Sequence, residues 1–501
     1  MVIGHDIVKV LSPDTKKLSA IRFWGDKVKI KNEDNNFYKI EFFDKKVNKS
    51  VSGLISKKTN LIDPDQNKIL SVSFIDVQQG DAMVVESPKG KKILIDGGDN
   101  QLFARYLASR FPNSSKEDPL IIDAIVVTHG DADHFTGLTE ISKSEKNENI
   151  AKRLFIFPKR IFHNGIVKGP SKVDGKSVSV QEIFGKTFVR ENKTYLIDVV
   201  DDLLKTREDR LNGPFKRWIN AIKRWKTYEK TNQTMSIKRL QYGDDTEFSF
   251  LSDEKIDIKV LGPNTEMINN KTALPLLHEP SDRINMILTD DLESQHSKTY
   301  SSSHTINGHS IILQIKYGNV KFFLAGDLNH EAEKKLVELT VKNEINISSE
   351  ILKVPHHGSS DFDSKFLENI KPIISIISSG DESVKKEYIH PRASLVGALG
   401  KYARTGSPVI FVTELAAFFE KVGNAKLADE KIGKESTNKD KGNANSSFFA
   451  FKRTQYGIVH IRTDGNRVLA FTHSGRQDLK EAYAFRIDEN EKITSEKINK
   501  I

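Results

Sequence analysis

The 501-residue sequence contains no cysteine. Disulfides and thiolate metal sites are therefore excluded, and any bound metal has to be held by His, Asp, Glu, backbone or water. Long apolar runs are missing too: none approaches the ~20 residues that a membrane-spanning helix needs. The opening MVIGHDIVKVLSPDTKK has no continuous apolar stretch that would serve as a signal-peptide core. The chain is accordingly read as cytoplasmic, with no membrane contact. There is no G-x-x-x-x-G-K-[ST] loop for nucleotide phosphates, no G-x-S-x-G elbow and no thiol nucleophile. Acidic charge is in deficit, with 68 Asp and Glu against 77 Lys and Arg, a net +9. That excess is compatible with a polyanionic partner but does not identify one.

Three textures follow one another along the chain. Residues 1–68 hold short alternating strands, IRFWGDKVKI, NNFYKIEFF and VSGLI, punctuated at Gly25-Asp26 and Asp34-Asn35-Asn36, as in a small β-barrel. From residue 69 to about 420 the pattern is α/β. The runs SVSFIDV, AMVVES, KKILIDGG and IIDAIVVTHG, then IDIKVLGP, SIILQIKYG, VKFFLAGD, ILKVPHHG and PIISIISSG, read as buried strands ending in Asp, Gly or His. LFARYLASRF, EAEKKLVELTV and RASLVGALGKYAR fit amphipathic helices between them. A polar linker or loop is expected at 421–446, and a C-terminal β-rich segment at 447–501, built from FFAFKR, GIVHIRT, RVLAFTH and AYAFRID.

Inside the α/β region lies a basic helical insert, about 143–255. Its centre carries Lys216, Arg217, Lys223, Arg224 and Lys226, with Trp218 and Trp225 seven residues apart and so on one helical face. Two readings stand side by side. The tryptophans anchor a helix whose lysines are simply solvated, or the basic face covers a nucleic-acid groove.

The densest chemistry is His129-Gly-Asp131-Ala-Asp133-His134, directly after the apolar strand IIDAIVVT. Four donors within six residues of a loop can serve adjacent metal ions, and such a cluster is rarely a chance surface feature. Other candidates sit at strand ends far along the chain: Asp76, Asp81, Asp96, Asp327, His356, His357 and His390.

The motif resembles the HxHxDH signature of the metallo-β-lactamase superfamily in its HxDxDH variant. FIDVQQGDA, ILIDGG, FLAGD, LKVPHHGS and YIHP are similar, in that order, to the motifs of the ComEC-type domain of DNA-uptake proteins. The resemblance covers roughly residues 71–404. It implies an αββα sandwich, here with a small N-terminal β-barrel and a C-terminal β-rich extension, and a metal-dependent hydrolase. The N-terminal Trp24-Gly-Asp pattern is also similar to bacterial SH3-like domains, which implies a structural cap or a site for a protein partner.

Under that resemblance two divalent ions, Mn²⁺ or Zn²⁺, are expected on His129, Asp131, Asp133, His134 and Asp327, with one of His356 and His357 completing the set. Asp327 is the natural bridge, because its two oxygens can each take one ion. Asp133 is expected to align the nucleophile or take its proton. His390 is expected to meet a phosphate or a leaving group, or else only to fix a loop. Asp96, and with it Asp76 and Asp81, are read as orienting the ligands, although the last two also fit turn caps. A third histidine is harder to find: none occurs between His163 and His278, which leaves His163 as a possible ligand. The favoured function is a DNA nuclease, with defence against foreign DNA as a possible setting. The alternatives are hydrolysis of a small phosphodiester or other ester, and a partner-binding module with a vestigial site.

Overall fold

Alternation decides which face of each strand is buried. In Leu70–Phe74 the side chains of Leu70, Val72 and Phe74 share one face, as do Ile93 and Ile95 of Lys92–Asp96. Leu94, between the last two, turns to the opposite side and packs with helices. The computed structural model describes residues 1–44, 49–278, 299–380, 390–406, 408–424, 447–455, 457–473 and 482–496.

Two sheets carry these strands. The first runs in the order Ser236–Arg239, Arg160–His163, Ala124–Val126, Lys92–Asp96, Ala82–Glu86, Leu70–Phe74, Ile458–Thr463, Arg467–His473, Ala482–Ile487 and Ile493–Glu496. The second runs Ile256–Gly262, Ile312–Tyr317, Val320–Leu324, Ile351–Lys353, Ile374–Ile377 and Val409–Val412. Val72, Ile95 and Val126 of the first sheet and Leu313, Phe322 and Ile374 of the second belong to one buried cluster between the two. Helices Leu102–Arg110, Ala132–Ser144 and Gly213–Lys226 cover the outer face of the first sheet. His330–Val341, Ser364–Ile370 and Ala393–Tyr402 cover that of the second. The result is the four-layer αββα sandwich expected from the sequence.

The ends of the chain are tied into this sandwich. Ile458–Thr463 pairs antiparallel with Leu70–Phe74, so the C-terminal strands continue the first sheet. The N-terminal unit is a five-stranded antiparallel sheet, Leu18–Phe23, Ile7–Leu11, Lys49–Ser56, Phe37–Asp44 and Lys29–Glu33, with its own core of Ile3, Val10, Ile40 and Ile55. It seats on the C-terminal strands through Phe23 stacked on Phe471 at 3.9 Å and Arg462 paired with Asp26 at 2.7 Å. Of the expected linker, 425–446 lies outside the described residues, while its first residues end the strand Glu414–Asn424.

The basic insert is woven into the sandwich as well. Arg160–His163 and Ser236–Arg239 form one edge of the first sheet. Helix Gly213–Lys226 starts where the Asn212 side chain accepts from Phe215 N at 3.0 Å and Pro214 occupies the first turn. Its Phe215, Trp218, Ile222 and Trp225 are buried, and the indoles meet edge to face at 5.7 Å. Lys216, Arg217, Lys223, Arg224 and Lys226 face outward, Arg224 paired with Glu145 at 2.8 Å. The tryptophans thus anchor the helix, and the basic residues form its exposed face.

Candidate metal centre

Parallel pairing gathers the functional loops. Lys92–Asp96 runs parallel to Ala124–Val126, and Val320–Leu324, Ile351–Lys353 and Ile374–Ile377 are parallel in turn. Their C-terminal ends deliver Asp96, the 129–134 loop, Asp327, His356-His357 and Ser378 to one edge of the sandwich, where open α/β sheets generally place their sites.

The 129–134 loop is locked by close backbone approach. Asp131 is the N-cap of helix Ala132–Ser144, so Asp133 and His134 fall in its first turn. His134 O accepts from Gly97 N at 2.6 Å. A Cβ on Gly137 would lie 1.9 Å from Gly97 O, and one on Gly80, at φ +95, would lie 1.8 Å from Asp133 O. His356 and His357 both adopt positive φ, 48° and 52°, a conformation that non-glycine residues hold only when the surroundings enforce it.

Three imidazoles converge on a single carboxylate oxygen. Asp327 Oδ2 lies 3.1 Å from His357 Nε2, 3.3 Å from His134 Nε2 and 4.0 Å from His129 Nε2. Asp133 approaches the same space, 3.7 Å from His357 Nε2 and 3.9 Å from His134 Nε2. The outer nitrogens are already committed: His134 Nδ1 meets Asp96 Oδ2 at 3.0 Å, and His357 Nδ1 donates to Ser378 O at 2.9 Å. Asp96 is itself fixed by Thr128, whose N–H and hydroxyl donate to it at 2.8 and 2.6 Å. Such back-bonding aims the other nitrogen of each ring inward. There, among the described residues, His134 Nε2, His357 Nε2 and Asp327 Oδ1 are buried without a hydrogen-bond partner. Buried polar atoms seldom stay unsatisfied, so an inward-facing set of imidazole and carboxylate donors fits a divalent cation.

Electrostatics tell the same story. Burial opposes charge on His134, yet Asp327, Asp96 and Asp133 around it raise its pKa well above the ordinary value. His357, also buried, is pushed up to about 10 by Asp327 and Asp81. Asp327 resists its own burial because His357 and His134 hold it well below the usual carboxylate range. Burial, reinforced by His134, lowers His129 well below the ordinary imidazole value. A pocket so rich in carboxylate draws positive charge to itself.

Candidate ligand groups among the described residues are His129, His134 and Asp327; Asp133, His134 and His357; Asp81, Asp327 and His357; and Asp81, Asp96 and His134. Asp131, His356 and His163 are in none of them. Asp131 accepts from Lys168 Nζ at 2.8 Å. His356 turns toward Asn307 and His390, with its ring 6.0 Å from that of His390. His163 lies on the edge strand pair of the first sheet, and its Nδ1 accepts from Gly165 N at 3.1 Å. Asp76 caps a turn by accepting from Gln78 N at 3.2 Å. Asp81 is fully buried and ion-paired with Lys353, whose ammonium also donates to Gly326 O at 2.9 Å and lies 3.9 Å from Asp327 Oδ1. Sequence reading passed over Lys168, Lys353, Thr128 and Asn307. Only Lys353 left a trace, as a cation interrupting the apolar strand before Pro355-His356-His357.

Residues 75–204 match the family described as the Metallo-beta-lactamase superfamily. ComE operon protein 3 of Bacillus subtilis (strain 168) is 30% identical over 98 residues, 19% of this chain and 12% of that protein, so the likeness spans only a small part of that relative. Among solved structures, Tm1679, titled a metal-dependent hydrolase of the beta-lactamase superfamily, aligns at TM-score 0.31 and 10% identity over 68% of this chain and 95% of its own. A long form RNase Z from yeast aligns at TM-score 0.23 and 10% identity, over 67% and 40%. At these TM-scores neither structural likeness bears on this chain's chemistry. The family match and the layer order together show a metallo-β-lactamase fold with a ComEC-like stretch, and its site holds groups able to bind metal.

Proposed function

We propose that this metallo-β-lactamase-fold chain is a metal-dependent hydrolase of phosphodiesters, and specifically a nuclease acting on DNA. The observation that carries the reading is the convergence of His134 Nε2 and His357 Nε2 on both Asp327 and Asp133, at the end of the sandwich where its loops meet. A divalent ion in such a cage supplies Lewis acidity and an acidified water. The oxygen and imidazole donors, with no thiolate, suit Mn²⁺ or Zn²⁺.

The chain's own groups would do the rest. Asp133, about a quarter exposed and oriented by Gln79 Nε2 at 3.1 Å, is placed to orient water and accept its proton. Lys168, partly exposed at 22%, offers an ammonium to a phosphate oxygen. Burial and the neighbouring His356 push His390 down to about 3, so at neutral pH it serves as an uncharged hydrogen-bonding group toward a phosphate more readily than as an acid. DNA as substrate is supported by the ComEC-type motifs, the net +9 charge and the outward basic face of helix Gly213–Lys226. Defence against foreign DNA is the biological setting that we attach to this reading. Among the described residues no helix is long and apolar enough to cross a membrane.

The test is cleavage by the purified chain with Mn²⁺ of plasmid, single-stranded DNA, RNA and bis-p-nitrophenyl phosphate, alongside Asp133→Ala and Asp327→Ala. Wild type is expected to cut DNA. Both variants are expected to lose at least ~100-fold, on the scale of removing a general base or a metal-supporting group, with unchanged circular dichroism. Cleavage of the small ester alone would retire the nuclease.

A further inference from the structure

The carboxylate at position 131 is already engaged on both oxygens. Oδ1 accepts from Lys168 Nζ at 2.8 Å. Oδ2 lies 3.3 Å from the Asn307 amide nitrogen, in the amide orientation that also lets Asn307 accept from His356 Nε2 at 3.3 Å and donate to Ser303 O at 3.1 Å. Asp131 is correspondingly absent from the ligand groups among the described residues, whereas His134, Asp327 and His357 recur in them and Asp133 joins His134 and His357 in one. His163, the remaining candidate for a first ion, has its Nδ1 turned to Gly165 and lies in the field of Arg239 and Asp201. The ligand group at His129 is then His129, His134 and Asp327, and both its second imidazole and its Asp327 oxygen are shared with the neighbouring groups that hold Asp133 and His357.

Lys168 is built into its place. Its carbonyl accepts from Asn212 N at 2.9 Å, and Asn212 is the N-cap of helix Gly213–Lys226. In the first turn of that helix, Phe215 packs over Gly130 so closely that a Cβ there would meet its ring at 2.9 Å. The ammonium therefore rides on the same scaffold as the 129–134 loop. Lys353, itself fully buried, brings another ammonium to 3.9 Å from Asp327 Oδ1. A divalent ion beside His129 would face like charge from Lys168 and find Asp131 neutralised.

We infer that the site takes a single tightly held divalent ion, in the cage of Asp133, His134, Asp327 and His357, and that the Lys168 ammonium fills the electrostatic role of a second one. This replaces the two-ion expectation from the sequence, and it rests on the metal-binding part of the proposed function alone.

Ion counting tests it without reference to activity. The full-length chain is stripped with chelator, dialysed against MnCl₂, and measured by elemental analysis and electron paramagnetic resonance. Wild type is expected to retain one Mn²⁺ per chain, with the hyperfine pattern of an isolated ion. Lys168→Met is expected to gain a second ion, tightening that place by about tenfold or more and giving an exchange-coupled spectrum. Lys168→Arg, which keeps the charge, is expected to stay at one and guards against a folding artefact in the methionine variant. Two ions or a coupled spectrum in wild type overturns the inference, as does a folded Lys168→Met chain that still holds one. No bound Mn²⁺ in wild type defeats the metal-dependent reading along with it. One ion without DNA cleavage removes the nuclease and leaves the inference standing.

Discussion

At the scale of single residues, buried charges are kept only where a partner meets them. Asp26 is held well below the usual carboxylate range: burial opposes its charge, but Arg462 at 2.7 Å and the Phe23 N–H at 2.9 Å prevail. Because its folded pKa lies below the unfolded one, its stabilisation is present above about pH 4 and is lost as pH falls through the folded value. Asp26→Asn leaves the Arg462 side chain, 6% exposed, without its anion. The expected cost at pH 7 is about 3 kcal/mol, read from urea melts. The gap from wild type should narrow as pH drops below about 4; a gap constant with pH would remove Asp26 as its source. The same pairing logic holds for Asp81, which lies 3.5 Å from His357 Nδ1 as well as against Lys353, and for Asp131. Each has a lysine, Lys353 or Lys168, that no local pattern ties to it.

At the scale of elements, the geometry of the candidate metal centre rests on a helix seated directly on a strand end. Gly137 of helix Ala132–Ser144 rests on the carbonyl of Gly97, with no room for a methyl group. Gly137→Ala forces the first turn, with Asp133 and His134, away from Asp327. The expected outcome is a loss of ~1–3 kcal/mol, typical of overpacking, together with weaker Mn²⁺ retention. A variant destabilised but binding Mn²⁺ as wild type does would show that the helix position does not set the cage. The sequence reading gives HGDADH as a loop and does not contain helix Ala132–Ser144, whose N-cap Asp131 makes no side-chain capping hydrogen bond. That Gly137 abuts Gly97 was not legible either, because the two are distant in the chain and meet only once helix and strand pack.

At the scale of the whole molecule, charge and layering act together. Helix Gly213–Lys226 completes the outer layer through its tryptophans while turning Lys216, Arg217 and Lys223 outward. The triple change Lys216→Glu, Arg217→Glu and Lys223→Glu should leave the melting temperature nearly unchanged, since none of these side chains is in the core. It should weaken DNA binding and lower the slope of log affinity against log salt by about 1 for each phosphate no longer neutralised, measured by fluorescence anisotropy. An unchanged slope would assign DNA binding to another face. The C-terminal strands, read from the sequence as a β-rich extension, lengthen the first sheet and receive the N-terminal unit. Edge-strand pairing is chosen by neighbours in space, so composition alone could not place them.

Local pattern was enough for the α/β layering, for the strand ends that carry Asp96, Asp327 and His357, and for the loop that presents His129, Asp133 and His134, because periodicity and strand-end chemistry are properties of short stretches of chain. Which donors face one another was settled by packing. It drew Asp131 to Lys168, turned His163 toward Gly165, and gathered three imidazoles around one oxygen of Asp327. Those outcomes follow from how two sheets and their helices close on each other, and a carboxylate's role is set by the charge that reaches it first.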